Sequence, residues 1–297
     1  MGVPQVDVGR WSRSHAGDLA ALADIALPGE NLTADELEAC CWDEPDPSVV
    51  LAVGGGEGAL AGVVHVVGDR AVAFVQLVAV GPEHRRLGHG RSLLDAFAAW
   101  AFTEHGASAL AVGGCGPFYL WPGVDVHATA ALCLFESAGF RPKGAELNLS
   151  FLTGHRAPAP PGIELRRVLA DADAAAALDF VGRHWPGWVA ETARAVDHGT
   201  CHIALASDAT VVGFGCHSVN RLGWLGPMGT DPQRRSSGVG RALTSAIATD
   251  LMAAGLASVE VSWVGPIGFY AKAADATVSR AFRTLVVEKA GFRTLSR

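Results

Sequence analysis

The chain has 297 residues, 49% of them hydrophobic and 18% charged, which is typical of a globular protein long enough for two domains. Its formal net charge of −7 argues against nucleic acid as a partner, since that would need a basic face, and is compatible with a cationic small molecule such as an amine. No apolar run is long enough to cross a bilayer, and residues 1–6 lack the features of a signal peptide, so we expect a cytoplasmic protein with no membrane partner.

The first half of the chain predicts short strands and helices in a definite order. A helix over 16–27 precedes two strands, 49–53 and 60–67, which a glycine-rich turn separates. A third strand, 74–80, ends at a proline, and a helix with apolar residues at helical spacing comes next. That helix ends near a glycine, and a further strand over 109–112 follows.

The second half repeats this order. Its first helix is predicted over 172–183, and its strands over 201–206, 211–219 and 224–230. A helix with apolar spacing again follows the third of these strands, ends near a glycine and leads to a strand over 258–264. The order of elements therefore indicates a duplicated α/β domain.

The repeat is also visible in the residues themselves. Residues 85–93 (RRLGHGRSL) recur as 235–243 (RSSGVGRAL), 150 residues further on. Between the halves, the stretch 153–162 is rich in proline and suits an extended linker. We therefore predict two domains, 1–155 and 156–297.

The glycine motif follows a strand and opens a helix in both halves. Backbone N–H groups without intrahelical partners and the positive end of the helix dipole meet there, which favours a bound anion such as a pyrophosphate. A P-loop is excluded because arginine stands where a lysine is required. A Rossmann fingerprint is excluded because Leu93 and Leu243 occupy the place of its third glycine.

The motif that remains, Arg-x-x-Gly-x-Gly between a strand and a helix, resembles the pyrophosphate-binding motif of the GNAT superfamily of N-acetyltransferases. The resemblance covers nearly the whole chain, as two consecutive GNAT-like domains. It implies an α/β (α+β) fold in which each domain has a mixed, mostly antiparallel, splayed sheet flanked by helices. It also implies acetyl-CoA as co-substrate, with its pantetheine arm bonded to the strand before each motif.

The resemblance assigns coenzyme binding to one strand end and one loop in each half. In the first half these residues are Val78, Ala79, Val80, Arg85, Arg86, Leu87, Gly88, His89, Gly90 and Arg91. In the second half they are Met228, Gly229, Thr230, Arg235, Ser236, Ser237, Gly238, Val239, Gly240 and Arg241. Pro227 within the second of these strands removes a ladder donor, which a splayed sheet would accommodate.

Acetyl transfer to an amine needs a base for the amine and an acid for the departing thiolate. In many proteins of the family, a tyrosine on the last helix supplies the acid, a few residues before a Gly-Phe pair. Such pairs lie in matching segments, 136–140 (ESAGF) and 288–292 (EKAGF), and they put Phe135 and Val287 at the tyrosine position. We therefore expect the usual acid to be missing from both halves.

The chain has two tyrosines, Tyr119 and Tyr270, at matching places after the last predicted strand of each half. Tyr270 is our candidate general acid, the alternative being a ring that only packs at the sheet edge. Glu260, on the strand before Tyr270, is our candidate base, and the first half has about Leu110 there. This difference predicts a catalytic second half and a first half that is structural, regulatory or degenerate.

Other residues of the second half leave alternatives open. His217 and Asp197 are further candidate bases, although both residue types are also common on surfaces and in hydrogen bonds. Trp185 and Trp188 either line an acceptor pocket or pack between the domains. The eleven histidines show no ligand spacing, so no metal site is predicted.

These observations predict an N-acetyltransferase that moves an acetyl group from acetyl-CoA to a primary amine of a small molecule. An amino sugar, an aminoglycoside-like compound, an amino acid derivative and a protein amine are the candidate acceptors. The alternative is an acyl-CoA-binding regulatory protein in which one or both domains are non-catalytic. A different acyl donor, such as succinyl-CoA or propionyl-CoA, and a homodimeric state stay open.

Overall fold

The computed structural model describes residues 7–43 and 45–294, so the residues that bear on a signal peptide, 1–6, lie outside it. The helices are α1 (Ala16–Ala26), α2 (Ala34–Cys41), α3 (His89–Ala99), α4 (Thr129–Ser137), α5 (Asp171–His184), α6 (Val189–Asp197), α7 (Val239–Ala253) and α8 (Ile267–Ala274). The strands are β1 (Val8–Trp11), β2 (Ser48–Val53), β3 (Gly58–Val67), β4 (Arg70–Val80), β5 (Ala109–Val112), β6 (Val124–Asp125), β7 (Arg141–Leu152), β8 (Ile163–Arg167), β9 (Cys201–Ala206), β10 (Val211–His217), β11 (Trp224–Thr230), β12 (Ser258–Val261) and β13 (Thr277–Glu288). In the described part of the chain, none of the helices is long and apolar enough to span a membrane.

The chain divides into two compact units. The first comprises the described residues of Met1–Glu146 and Phe282–Arg297, and the second comprises Leu147–Ala281. The strand order is β1-β2-β3-β4-β5-β13 in the first unit and β8-β9-β10-β11-β12-β7 in the second. These neighbours are antiparallel except β4 with β5 and β11 with β12, which are parallel. The predicted class of mixed, mostly antiparallel sheets flanked by helices is confirmed.

Two long strands pass from one unit to the other. β7 begins in the first unit, and its residues 149–152 pair with β12 in the second. β13 begins in the second unit, and its residues 285–288 pair with β5 in the first. Each sheet is completed by a strand from the other half of the sequence, so the predicted domains 1–155 and 156–297 do not coincide with the compact units.

In each unit one helix, opened by the glycine motif, packs on the sheet. α3 buries Leu93, Leu94 and Phe97, which lie on one face at helical spacing. Gly62 on β3 permits this approach, because a Cβ atom there would lie 2.4 Å from Phe97 Cε2. The corresponding apolar residues of α7 are Leu243, Ile247 and Leu251. This packing fixes the start of each helix at the end of the strand before it.

One predicted correspondence between the halves is wrong. The segment 136–140 begins with the last two residues of helix α4, whereas 288–292 begins with the last residue of strand β13 and forms a short 3-10 turn at Lys289–Gly291. The similar sequences at 136–140 and 288–292 therefore belong to different secondary structures. The helix of the second half that corresponds to α4 is α8, because each precedes the long strand that crosses to the other unit.

Candidate functional site

The sheet of each unit opens beside the strand that leads into the glycine motif. β4 pairs with β5 only through residues 72–75, and β11 pairs with β12 only through 224–225. Beyond these points both strands stay paired with β3 and β10 on their other side. Within the described residues, the ends of β4 and β11 thus have one edge without a neighbouring strand. The six strand residues predicted to bind coenzyme lie at these ends, where the free edge can bond the amide groups of a ligand.

A bulge lies where each sheet opens. Gln76 is an extra residue of β4 that faces no residue of β3 in the pairing of the two strands. In the pairing of β10 with β11, the register shifts at Gly226 and Pro227. A bulge needs no ladder donor, so Pro227 is accommodated there. Bulges bend a strand and are common next to active sites.

The glycine motifs have the same backbone conformation in both units. Arg86 and Ser236 have φ angles of +68° and +63°, and Gly88 and Gly238 have φ angles of +94° and +92°. Gly88 is the N-cap of α3, and Gly238 is the N-cap of α7. Alternating conformations of this kind at a helix N-terminus direct N–H groups toward a common point, which suits an anion.

The second glycine of each motif admits a neighbouring helix. A Cβ atom on Gly90 would lie 3.3 Å from Leu134 Cδ2 of α4. A Cβ atom on Gly240 would lie 2.9 Å from Phe269 Cζ of α8. α4 and α8 therefore contact the motif at the same point in the two units, which confirms that they are equivalent helices.

This equivalence corrects which residue of the second unit matches Phe135. Tyr270 follows Phe269 on α8 as Phe135 follows Leu134 on α4, so Tyr270 stands where the first unit has Phe135. Val287, assigned to that position from sequence, lies on strand β13 instead. Tyr270 is 6% exposed, and burial raises the pKa of its phenol above the ordinary value. Its hydroxyl makes no hydrogen bond to another described residue.

The first unit has a longer connection before its helix α4. It spans residues 113–128 and includes Tyr119, which lies in irregular structure and not on a helix. The predicted match between Tyr119 and Tyr270 was therefore wrong. Gln76 Nε2 donates a hydrogen bond to Phe118 O at 3.1 Å, which holds this connection against the bulge of β4.

Arginine side chains distinguish the two glycine loops. Arg85 donates from Nε to Val80 O at 3.1 Å and from Nη2 to Ala26 O at 2.9 Å. Its counterpart Arg235 is exposed and bonds to none of the described residues through its side chain. The second loop thus has a guanidinium available for a bound anion, whereas the first uses its guanidinium to hold its own backbone.

Glu260 is bonded to a residue that the sequence did not single out. Asn148 Nδ2 donates to Glu260 Oε1 at 2.6 Å, and Asn148 Oδ1 accepts from the backbone N–H of Trp263 at 2.9 Å. Asn148 is fully buried on β7. The counterpart of Glu260 is Ala111 and not Leu110, because the pairing of β4 with β5 matches that of β11 with β12. Neither aliphatic side chain can accept a proton.

The two tryptophans after α5 form one aromatic cluster in the second unit. The rings of Trp185 and Trp188 stack with their centroids 5.6 Å apart, and both contact Phe214 of β10. Trp185 also lies against Gly229, where a Cβ atom would be 2.6 Å from its ring. Both rings are partly exposed. The cluster therefore borders the strand end predicted to bind coenzyme.

A buried carboxyl group on α6 was missed by the sequence analysis. Glu191 is 8% exposed, and burial raises its pKa to about 8, an effect that the nearby Arg194 partly offsets. Burial, Cys201 and Glu191 together raise the pKa of the Cys216 thiol, so Glu191 faces β10. A glutamate on an otherwise amphipathic helix gives no sequence signal that separates a buried position from an exposed one.

Histidines form two clusters with carboxylates, although their sequence spacing predicted none. The clusters are Glu57 with His84 and His89, and Asp250 with His202 and His217. Asp250 Oδ2 lies 2.7 Å from His202 Nε2 and 3.4 Å from His217 Nε2. Burial lowers the pKa of both imidazoles, and Asp250 partly offsets this. Of the two further candidate bases, His217 is buried in this cluster and Asp197 is exposed at the end of α6.

Solved structures resemble the chain over nearly its whole length. A GCN5-related N-acetyltransferase from Sphaerobacter thermophilus is 20% identical with a TM-score of 0.65, over 100% of this chain and 99% of that one. A tandem GNAT protein from the clavulanic acid biosynthesis pathway is 14% identical with a TM-score of 0.71, over 96% of this chain and 98% of that one. A glucosamine N-acetyltransferase region of a fungal multi-domain β-N-acetylglucosaminidase is 18% identical with a TM-score of 0.74, over 95% of this chain but 38% of that one. The chain has the fold of a tandem GNAT protein.

A family model identifies the first half more specifically. Residues 19–140 match the Acetyltransferase (GNAT) family. The matched residues include β2 to β5 and the first glycine motif. The comparison with curated proteins gave no match.

Proposed function

We propose that the chain is an acetyl-CoA-dependent N-acetyltransferase and that its second unit performs the transfer. The observation that carries this proposal is Tyr270, a buried phenol on α8 at the position where the first unit has Phe135. A phenol with a raised pKa stays protonated at neutral pH and can give its proton to a departing thiolate.

The backbone of the second unit suits the coenzyme. Acetyl-CoA supplies an acetyl group activated as a thioester. The free edge of residues 228–230 offers N–H and C=O groups to the pantetheine arm, and the loop 236–240 offers N–H donors to the pyrophosphate. The exposed guanidinium of Arg235 adds a positive charge beside these donors. The first unit has the same edge and loop, although Arg85 is bonded to its own backbone.

Glu260 is the proposed base for the acceptor amine. Its carboxylate is held by Asn148 Nδ2, which fixes one oxygen and leaves the other to accept a proton directly or through water. The carboxylate of Glu260 would then take a proton from the amine, and the phenol of Tyr270 would give one to the sulfur of the coenzyme.

The proposed acceptor is a primary amine of a small molecule. Trp185 and Trp188 are partly exposed beside the end of β11, and aromatic rings there suit a cation or the apolar side of a sugar. One protein of similar fold is described as a glucosamine N-acetyltransferase, which makes glucosamine the first amine to assay.

The test compares the chain's two tyrosines. Acetyl-CoA turnover is measured with a panel of amines by the release of free thiol, and coenzyme binding is measured separately by calorimetry. Tyr270→Phe should bind coenzyme normally and lose about 10²-fold in turnover. Tyr119→Phe is the matched control, since Tyr119 lies in an irregular connection of the first unit, and should keep full turnover. Full turnover in Tyr270→Phe would remove Tyr270 from the mechanism.

A regulatory acyl-CoA-binding role is the second candidate for the first unit. The observation in its favour is Phe135, which cannot donate a proton. The calorimetric stoichiometry tests this: two equivalents of acetyl-CoA per chain, one of them retained when Gly240 is substituted, would indicate a binding but non-catalytic first unit. Titrations with succinyl-CoA and propionyl-CoA test the acyl preference in the same experiment.

A further inference from the structure

Three side chains converge beside the glycine loop of the first unit. Glu57 is the last residue of the turn between β2 and β3, His84 precedes the loop, and His89 is the first residue of α3. Glu57 Oε2 lies 2.7 Å from His89 Nε2 and 3.6 Å from His84 Nδ1. The three atoms that could bind a metal ion all lie within 4.8 Å of one another.

Backbone hydrogen bonds hold the three positions together. The N–H of Gly81 donates to Glu57 O at 2.9 Å, which joins the β2–β3 turn to the end of β4. The N–H of His84 donates to Gly81 O at 2.9 Å, which fixes the next turn. The arrangement is therefore set by the backbone, and only short side-chain movements are needed to change the distances among the three groups.

The second unit repeats both backbone hydrogen bonds with other side chains at the three positions. There the N–H of Asp231 donates to Val212 O at 2.9 Å, so Val212 corresponds to Glu57. Arg234 and Val239 lie 150 residues after His84 and His89 and correspond to them. Val212 and Val239 are 3% and 1% exposed, so this part of the fold packs well with apolar residues. The cluster of the first unit is therefore not required by the fold.

We propose that Glu57, His84 and His89 form a binding site for a divalent transition-metal ion such as Zn²⁺ or Co²⁺. Two imidazoles and one carboxylate, with a fourth position open, are a donor set that zinc accepts in proteins. Metal–ligand bonds of about 2.1 Å place tetrahedral ligand atoms about 3.4 Å apart. The 3.6 Å between Glu57 Oε2 and His84 Nδ1 is near this value, and the 2.7 Å contact between Glu57 Oε2 and His89 Nε2 must lengthen by about 0.7 Å. His89 is buried, whereas the side chains of His84 and Glu57 are 39% and 36% exposed, so the ion can enter from solvent.

The cluster in the second unit lacks the charge for such a site. Asp250 Oδ2, on which His202 and His217 converge, also lies 3.0 Å from Arg167 Nη2. The guanidinium already neutralises the carboxylate and would repel a cation at that oxygen. This cluster therefore serves as the control for metal binding by histidine and carboxylate in the same chain.

The experiment is a Co²⁺ titration of the full chain, without an affinity tag and after treatment with a chelator. Visible absorption reports the coordination of the ion, and Zn²⁺ is added afterwards as a competitor. We expect one equivalent of Co²⁺ with the intense bands of a four- or five-coordinate ion, displaced by one equivalent of Zn²⁺. This result does not depend on acetyltransferase activity.

A triple substitution provides the matched control. Glu57→Val, His84→Arg and His89→Val together introduce the residues that the second unit has beside the same two backbone hydrogen bonds, so the variant should fold and lose the Co²⁺ bands. Asp250→Asn, which changes the cluster of the second unit, should keep the Co²⁺ bands. Weak bands typical of six-coordinate aqueous Co²⁺ in the parent protein would overturn the proposal, as would full binding by the folded triple variant.

Discussion

Glu191→Gln should stabilise the protein in a pH-dependent way. The folded carboxyl group has a pKa of about 8 because it is buried, whereas its ordinary value is 4.5. Between these two values the folded state binds a proton that the unfolded state has released, so the free energy of unfolding falls as pH rises. Replacing the carboxyl group by an amide removes this proton and therefore removes the pH dependence.

The size of the effect follows from the two pKa values. Each pKa unit is worth about 1.4 kcal/mol, and the proton is held by the folded state over most of the interval between about pH 5 and pH 8. The parent protein should therefore lose about 3–4 kcal/mol relative to Glu191→Gln across that interval.

Urea unfolding followed by tryptophan fluorescence, at both ends of the interval, measures the difference. Glu136→Gln is the control, because Glu136 is exposed on α4, and it should change the free energy of unfolding by less than about 0.5 kcal/mol at either pH. A constant difference between the parent and Glu191→Gln at the two pH values would refute the argument, since it would mean that Glu191 is ionised when folded.

Three further predictions concern close packing and buried bonds. Gly62→Ala should cost about 1–3 kcal/mol in urea unfolding, because the new Cβ atom would lie 2.4 Å from Phe97 Cε2 and 2.7 Å from Phe74 O, whereas Gly9→Ala, with nothing within 4 Å, should be nearly neutral. Asn148→Ala should cost about 1–3 kcal/mol in the same assay and lower turnover, because Glu260 and the N–H of Trp263 lose their partner; unchanged stability would contradict the bonding described. Gly238→Ala should cost about 1–2 kcal/mol, because its φ of +92° disfavours a side chain, and should weaken acetyl-CoA binding by the second unit in calorimetry; binding equal to that of the parent would argue against the loop as the pyrophosphate site.

The glycine loops could be predicted from sequence because their chemistry is local. A left-handed N-cap requires glycine, and the close approach of a second helix requires another glycine two residues later. Both constraints are therefore visible in the sequence as glycines at a fixed spacing. The duplicated order of strands and helices was equally visible, since each buried strand is a short apolar run.

Val287 was wrongly matched to Phe135 because the position of the equivalent helix depends on packing and not on the neighbouring sequence. The Gly-Phe pair that marks the end of α4 has no copy after α8, where Asp275 with φ of +54° ends the helix instead. The similar sequence at 288–292 lies at the end of strand β13, which pairs with β5 of the first unit. Glu191 and Asn148 were missed for the same reason, since their burial is decided by distant parts of the chain.

The exchange of strands has a consequence for biosynthesis. The sheet of the first unit needs residues 285–288 beside β5, and these leave the ribosome only after the second half has been made. At typical rates of synthesis, β5 waits for that neighbour for about 10–30 s, with Leu110 and Val112 at an unpaired edge. Open apolar edges attract other chains, so β5 is exposed to pairing with other molecules until translation ends.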